Sequence, residues 1–129
     1  MQRYVRGCLG LGLLVLVAGC TTVHPREPVG SGTYSYVSRR LSWTYPGTLG
    51  DVWQATLKAL QELDLRVQSK SLDGLGGEIE AIRADQTTVA VELRPVSDRT
   101  TDVSVRIGTL GDYEQSKTIH EAIRTRLKL

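Results

Sequence analysis

The chain has 129 residues, of which 40% are hydrophobic and 23% charged, and its formal net charge at pH 7 is +2. This length suits one domain of ordinary size, and the small charge excludes the basic excess that nucleic-acid binding requires. Phenylalanine is absent and aromatic residues make up only 5%, so the core must rest on Val, Leu, Ile and Ala.

The first predicted element is an export signal peptide over residues 1–19. Arg3 and Arg6 precede an apolar run from Leu9 to Val17, which is far shorter than the ~20 residues that span a bilayer as a helix. Removal of this segment takes away two of the 16 basic residues and none of the 14 acidic ones, which leaves 14 of each sign. We therefore expect a mature chain without formal net charge, and no nucleic-acid partner.

The sequence Val-Ala-Gly-Cys at the end of the apolar run resembles the lipobox of bacterial lipoproteins. The resemblance implies that the signal peptidase recognises Val17, Ala18 and Gly19. It implies cleavage before Cys20 and lipid on the Cys20 sulfur, with no cofactor besides this covalent lipid. Two or more acyl chains anchor a protein stably to a membrane. Thr21 stands where enterobacterial lipoproteins of the inner membrane usually have Asp, so it favours the periplasmic face of the outer membrane.

Residues 20–32 are the predicted lipidated cysteine and flexible tether, because this segment is rich in Pro and Gly and has no apolar period. Residues 33–129 are the single predicted domain. Within it, residues 34–45 alternate in hydrophobicity with a period of two, which predicts a first strand ended by Pro46 and Gly47.

Two helices are predicted from apolar stripes at three- and four-residue spacing, over residues 49–63 and 113–127. Thr48 and Asp112 precede them as N-caps. Short alternating segments between the helices predict four further strands, approximately at residues 65–71, 78–84, 88–95 and 101–108. The element order β-α-β-β-β-β-α predicts a two-layer α+β domain, in which two helices pack on one face of an antiparallel sheet of about five strands.

Several stretches, from the lipobox to the last helix, together resemble a group of small bacterial lipoproteins classed only as a domain of unknown function. The most specific stretch is Arg106 to Asp112, followed by Ser116 and Ile119. The others are Gly32-Thr33 with Tyr36-Val37, residues 53–60, and Arg83-Ala84-Asp85. Members of this group often have a turn glycine where this chain has Gln86. The resemblance implies no activity, cofactor or catalytic residue.

Asp112, Ser116 and His120 lie four residues apart on the last predicted helix. A catalytic triad needs groups that converge from different directions beside an oxyanion hole, which one helical stripe cannot supply. We expect instead a capping aspartate, a small interfacial serine and a partly exposed histidine. No paired His or Cys spacing predicts a metal site either. The sequence thus predicts no catalytic residue, no metal ligand and no enzymatic activity.

Arg39 and Arg40, with the nearby aromatic residues Tyr36 and Trp43, form a candidate interaction surface for a peptide, a glycan or a lipid headgroup. The alternative interpretation is an edge strand protected by charge. At the level of function, two hypotheses remain open. One is a non-enzymatic module that binds or scaffolds another envelope protein while anchored to the membrane. The other is a binding protein for a lipid, a glycan or a small hydrophobic molecule.

Overall fold

A computed structural model describes residues 32–129 of the chain. It contains six strands and two helices. Their bounds are β1 Thr33–Ser35, β2 Arg40–Pro46, α1 Leu49–Glu62, β3 Arg66–Asp73, β4 Gly76–Ile82, β5 Thr88–Ser97, β6 Thr100–Ile107 and α2 Tyr113–Arg126.

The strands form one antiparallel sheet in the order β1-β2-β6-β5-β4-β3. Helix α2 packs on β2 and β6, and α1 packs against β5, β4 and β3, so that both helices cover the same face. This arrangement confirms the predicted α+β class with two helices on one side of the sheet. The observed order, β-β-α-β-β-β-β-α, has one strand more than the sequence predicted.

The additional strand arises because the prediction of a single first strand over residues 34–45 is wrong. The chain folds there into a hairpin, in which β1 pairs with β2 and Thr33 lies opposite Ser42. The turn spans Tyr36 to Arg39, and Arg39 has a φ angle of 56°. Since this turn contains no Gly, Pro or Asn, the usual sequence signals of a hairpin are absent.

The two predicted N-caps are confirmed. The Asp51 amide donates to the Thr48 hydroxyl over 3.2 Å at the start of α1, and the Gln115 amide donates to the Asp112 carboxylate over 3.0 Å at the start of α2. Both bonds satisfy donors that the first turn of a helix leaves free. Each helix therefore begins beside the end of the strand that precedes it and lies back over the sheet.

The core lies between the helices and the sheet. Alternate residues of β2, β4, β5 and β6 point into it, which follows from the two-residue period of strands. It is built almost wholly from aliphatic residues and two tryptophans. Its least exposed hydrophobic members include Leu41, Val52, Ala59, Leu60, Val89, Leu93, Val103, Val105 and Ile123.

The opposite side of the sheet, which we call the open face, carries no helix from residues 32–129. It consists of the remaining alternate residues of β2 to β6, and these are mostly charged or hydroxylated. Register places Glu78, Glu92, Ser104 and Ser42 in one row across four neighbouring strands. The same strands therefore present an apolar side to the helices and a polar side to solvent.

The β4–β5 turn shows what replaces the glycine found in the resembling proteins. Gln86 itself adopts the left-handed conformation, with a φ angle of 71°. Its amide donates to the Arg83 carbonyl over 2.9 Å, and the Asp85 carboxylate accepts from the Thr87 amide over 3.0 Å. Hydrogen bonds within the turn thus hold a residue in a conformation that glycine adopts more easily.

Candidate functional site

The four residues of the predicted interaction surface do not lie together. Tyr36 and Arg39 are exposed in the β1–β2 turn. Arg40 is half-buried on the open face, whereas Trp43 is buried on the side that faces the helices. The turn separates Tyr36 and Arg39 from β2, and the two-residue alternation of β2 places Arg40 and Trp43 on opposite faces of the sheet.

Arg40 instead joins a charged cluster at the middle of the open face. Its Nη1 lies 3.8 Å from Oε2 of Glu92, and Arg94 donates through Nε to Oε1 of the same carboxylate over 2.6 Å. Glu92 therefore accepts from one guanidinium on its own strand and faces another across the sheet. Ion pairs of this partly exposed kind contribute little to stability, but they display fixed charge to a partner.

Hydroxyl and carboxylate groups extend this cluster along β2 and β6. The Ser42 hydroxyl donates to Oγ of Ser104 over 3.2 Å, and the Thr44 hydroxyl donates to the Asp102 carboxylate over 3.3 Å. Partial burial raises the pKa of Asp102 above its usual value, while the Thr44 bond and the positive charge of Arg94 act in the opposite direction. The open face thus offers donors and acceptors of both signs.

Several shallow grooves lie on the open face. One, of about 260 Å³, is lined by polar groups that include Arg40, Ser71 and Glu78. Another, of about 230 Å³, lies between Ser42, Glu92, Arg94, Asp102 and Ser104. Pockets for small molecules are concave and mostly apolar, with few polar groups. Grooves with this polar lining are better suited to hydrogen bonds with an extended segment of another protein.

On the covered face, a buried polar network joins β2 to α2. Oη of Tyr45 lies 2.8 Å from Nδ1 of His120 and donates to the His120 carbonyl over 3.0 Å. Nε2 of His120 lies 2.8 Å from the Leu41 carbonyl. The Trp43 indole stacks on the imidazole, with ring centroids 4.9 Å apart and planes 12° from parallel. Every polar atom of this network therefore has a partner.

The partners fix the tautomer of His120. A carbonyl only accepts, so Nε2 carries the hydrogen that binds Leu41, and Nδ1 of the neutral ring is an acceptor that shares the single Tyr45 hydroxyl hydrogen with the His120 carbonyl. Burial lowers the pKa of His120 to about 4, although the bond to Leu41 opposes this shift. Burial also raises the pKa of the Tyr45 hydroxyl. At neutral pH both side chains are uncharged and act as a structural link.

This network also defines the roles of the three spaced residues on α2. Asp112 caps the helix, and Ser116 is fully buried. His120 is not partly exposed, as the sequence predicted, but completely buried. Both of its ring nitrogens are bound to groups other than Ser116. The geometry therefore does not arrange Ser116 and His120 as a nucleophile and its base.

A second surface, which sequence reasoning missed, lies at one end of the sheet. It consists of Tyr34, Tyr36, Val37, Leu110 and Tyr113, and we call it the aromatic end. The ring of Tyr34 meets those of Tyr36 and Tyr113 edge to face, at centroid distances of 5.0 and 5.6 Å. Val37 is 97% exposed and Leu110 is 74% exposed. Exposed apolar side chains gathered in this way mark an interaction surface.

Gly111 allows the two loops of the aromatic end to meet. It has a φ angle of 71°, and a Cβ atom there would lie 2.7 Å from the Arg39 carbonyl oxygen and 3.0 Å from Oη of Tyr34. Any larger residue would push the β6–α2 loop away from the β1–β2 turn. Of the five residues of the aromatic end, the sequence predicted only Tyr36 to lie on an interaction surface, and there it was grouped with Arg39, Arg40 and Trp43 instead.

The lipidation residue Cys20 and the signal-peptidase residues Val17, Ala18 and Gly19 lie outside the described residues. Within residues 32–129, no helix has both the length and the apolar character needed to cross a membrane. No three His, Cys, Asp or Glu side chains of that same segment are grouped so that they could hold a metal ion.

The chain matches the model of a known protein family. The model of a family described as protein of unknown function (DUF3568) matches residues 4–126, which is nearly the whole chain. None of the curated proteins matches the chain.

Proposed function

The chain belongs to the DUF3568 family, and we propose that it is a bacterial envelope lipoprotein whose domain binds or scaffolds another protein without catalysing a reaction. In this proposal Cys20 carries the lipid and residues 21–32 connect it to the domain. Support comes from the export signal, the lipobox spelling before Cys20 and the Pro- and Gly-rich segment after it. Thr21 favours the periplasmic face of the outer membrane.

The observation that carries the binding role is the open face. Within the part of the chain that the structure describes, one side of the six-stranded sheet has no helix over it and displays charged and hydroxyl groups in register across the strands. The Glu92 cluster and the grooves beside it provide hydrogen-bond donors and acceptors for another polypeptide. In an interface formed by such groups, complementary charges provide specificity and fix the register of the two partners.

The alternative, a protein that binds a small hydrophobic ligand between the helices and the sheet, has less support. Residues at the centre of that layer, such as Val52, Leu60 and Val103, are fully buried against one another, and the grooves described above lie on the other side of the sheet. Native mass spectrometry separates the two functions, since a ligand binder purified from cells retains a bound small molecule.

The anchor is tested by the intact mass of the protein purified from membranes. We expect a chain that begins at Cys20 and carries acyl groups, and a Cys20→Ser variant that keeps residues 1–19. A wild-type product that retains residues 1–19, or an unmodified Cys20, would refute the anchor.

The binding role is tested with a photo-crosslinking amino acid placed in living cells at Thr44, which is exposed on the open face. The matched control is Gln54, which is exposed on α1. We expect one reproducible envelope protein, identified by its peptides, at Thr44 and not at Gln54. Charge reversal by Glu92→Lys should reduce that crosslink. No crosslink, or the same products at both positions, contradicts the proposal.

A further inference from the structure

We propose that the aromatic end lies on the bilayer surface to which Cys20 is anchored, with its side chains in the headgroup region. The inference rests on the proposed lipid anchor and adds an orientation to it. The β1–β2 and β6–α2 loops then contact the membrane, and the strands extend away from it. In this orientation the open face points sideways, where a protein partner can reach it.

The side chains of the aromatic end have the chemistry of a membrane interface. Tyrosine has an apolar ring and a polar hydroxyl, and it is enriched where a protein meets lipid headgroups. Tyr36 is 86% exposed. Val37 and Leu110 belong to the same surface, and transfer of their aliphatic side chains out of water lowers the free energy. The edge-to-face contacts of Tyr34 hold this group together without burying it.

The path of the chain brings this surface to the bilayer. Eleven residues separate Cys20 from Gly32, so the domain cannot be further from its lipid than about 40 Å. Gly32 lies against the Trp43 side chain, and β1 leads from there directly to the turn at Tyr36. The aromatic end is therefore about 14 Å of extended chain from the point where the anchor segment enters the domain.

Tethering also decides how strong the contact must be. A surface on a tethered domain meets its target intramolecularly, at a high effective concentration, so weak contacts suffice. The five side chains of the aromatic end are few compared with the roughly 20–30 residues that each partner contributes to a standard protein interface. Their small number therefore favours the tethered bilayer over a protein as the occupant.

The charges near the aromatic end have no strong single sign. Arg39 in the first loop is offset by Asp112 and Glu114 at the start of α2. A surface without an excess of basic residues obtains little electrostatic binding free energy from anionic lipids. We therefore expect contact with zwitterionic and anionic membranes alike, and little dependence on salt.

The test uses the full-length processed lipoprotein reconstituted into vesicles of phosphatidylethanolamine and phosphatidylglycerol. An environment-sensitive NBD dye is attached to Val37→Cys or Leu110→Cys. The control is Leu75→Cys, which is 87% exposed in the β3–β4 turn at the opposite end of the sheet. We expect blue-shifted emission, strongly quenched by doxyl-labelled lipids, at positions 37 and 110 but not at 75. The same result is expected in phosphatidylcholine vesicles.

The inference is overturned if the labels at positions 37 and 110 show the emission of a water-exposed dye and are quenched no more than the label at position 75. Shifts that disappear when the protein is diluted in lipid also overturn it, since they indicate a second copy of the chain as the occupant. The intact mass of each sample separates this inference from its premise. A lipidated Cys20 together with water-exposed labels at positions 37 and 110 refutes only the orientation. An unmodified Cys20 refutes the anchor and the orientation together.

Discussion

The two faces of the sheet are built from the same strands but differ in the surroundings of their polar groups, which are enclosed by protein on the covered face and mostly accessible to water on the open face. On the covered face, Tyr45 and His120 are fully enclosed, and the hydroxyl and both ring nitrogens lie within hydrogen-bond distance of protein groups. On the open face, Glu92 and Arg94 share a contact that water can also satisfy, whereas Nη1 of Arg40 is buried and has no hydrogen-bond partner among residues 32–129. The comparison teaches that a lost partner is costly only where water cannot replace it.

The largest effect should follow removal of the buried imidazole. His120→Ala leaves a cavity, deprives the Leu41 carbonyl of its donor and removes Nδ1 from the Tyr45 hydroxyl, which keeps only the main-chain carbonyl of residue 120. We expect the free energy of unfolding, measured by urea titration, to fall by about 3–5 kcal/mol. Tyr45→Phe, which removes only one hydroxyl, should cost about 1–2 kcal/mol. A cost below about 1 kcal/mol for His120→Ala would mean that the network does not join β2 to α2.

The second effect is a dependence of stability on pH that only the covered face should show. The pKa of folded His120 is about 4, below its value of about 6.5 in the unfolded chain. The unfolded state therefore binds more protons in this range, so stability is complete above pH 6.5 and is lost as the pH falls towards 4.

This pKa difference corresponds to a loss of at most about 3 kcal/mol. Urea titrations between pH 7 and pH 5 lie mostly above the range in which carboxylates titrate. A His120→Gln variant should lack the slope seen in the wild-type protein over that interval. Equal slopes in the two proteins would show that His120 is not the group responsible.

A smaller effect of opposite sign is expected at Ser116. Its hydroxyl is buried and has no hydrogen-bond partner among residues 32–129. It differs in this respect from the side chains of Tyr45 and His120, whose polar atoms are hydrogen-bonded. Ser116→Ala should raise the free energy of unfolding by up to about 1 kcal/mol. Ser104→Ala on the open face, measured in parallel, should change it by less than about 0.5 kcal/mol. Destabilisation by Ser116→Ala would reveal a partner for this hydroxyl.

The smallest effects belong to the open face. Glu92→Gln weakens contacts to two guanidinium groups and should cost about 0.5 kcal/mol, less at high salt. Glu78 lies directly opposite Glu92 on the neighbouring strand, and like charges in that position repel each other. Glu78→Gln should therefore be neutral or slightly stabilising in the same titration. A loss of several kcal/mol in either variant would contradict the proposed difference between the two faces.

The sequence was sufficient to predict the helices and the later strands. Strands β5 and β6 alternate cleanly, and both helices begin at side chains that bind their first-turn amides. These features are local, since each depends on residues a few positions apart. The β1–β2 hairpin escaped prediction because its turn has no residue typical of turns, so the alternation seemed to continue through it.

The surfaces and the buried network were less predictable because they depend on pairing between distant parts of the chain. His120 lies 75 residues from Tyr45, and neither position alone indicates a buried hydrogen bond. The aromatic end joins residues 34–37 to residues 110–113, which meet because β2 pairs with β6 and α2 starts beside the hairpin. The prediction that Trp43 belongs to an exposed surface is wrong for a local reason, because the alternation of β2 places Trp43 on the apolar face with Leu41 and Tyr45, opposite Arg40.

The outermost strands differ in how they end the sheet. Strand β1 has only three residues, which is too short a template for another chain. Strand β3 has eight, but its ladder is irregular between Val67 and Ser69, and it carries Arg66 and Lys70. Such irregularities and charges hinder the stacking of sheets into fibrils. In the proposed anchored state, in which molecules collide in the two dimensions of the bilayer, these two edge strands favour separate molecules over sheets that extend from one molecule to the next.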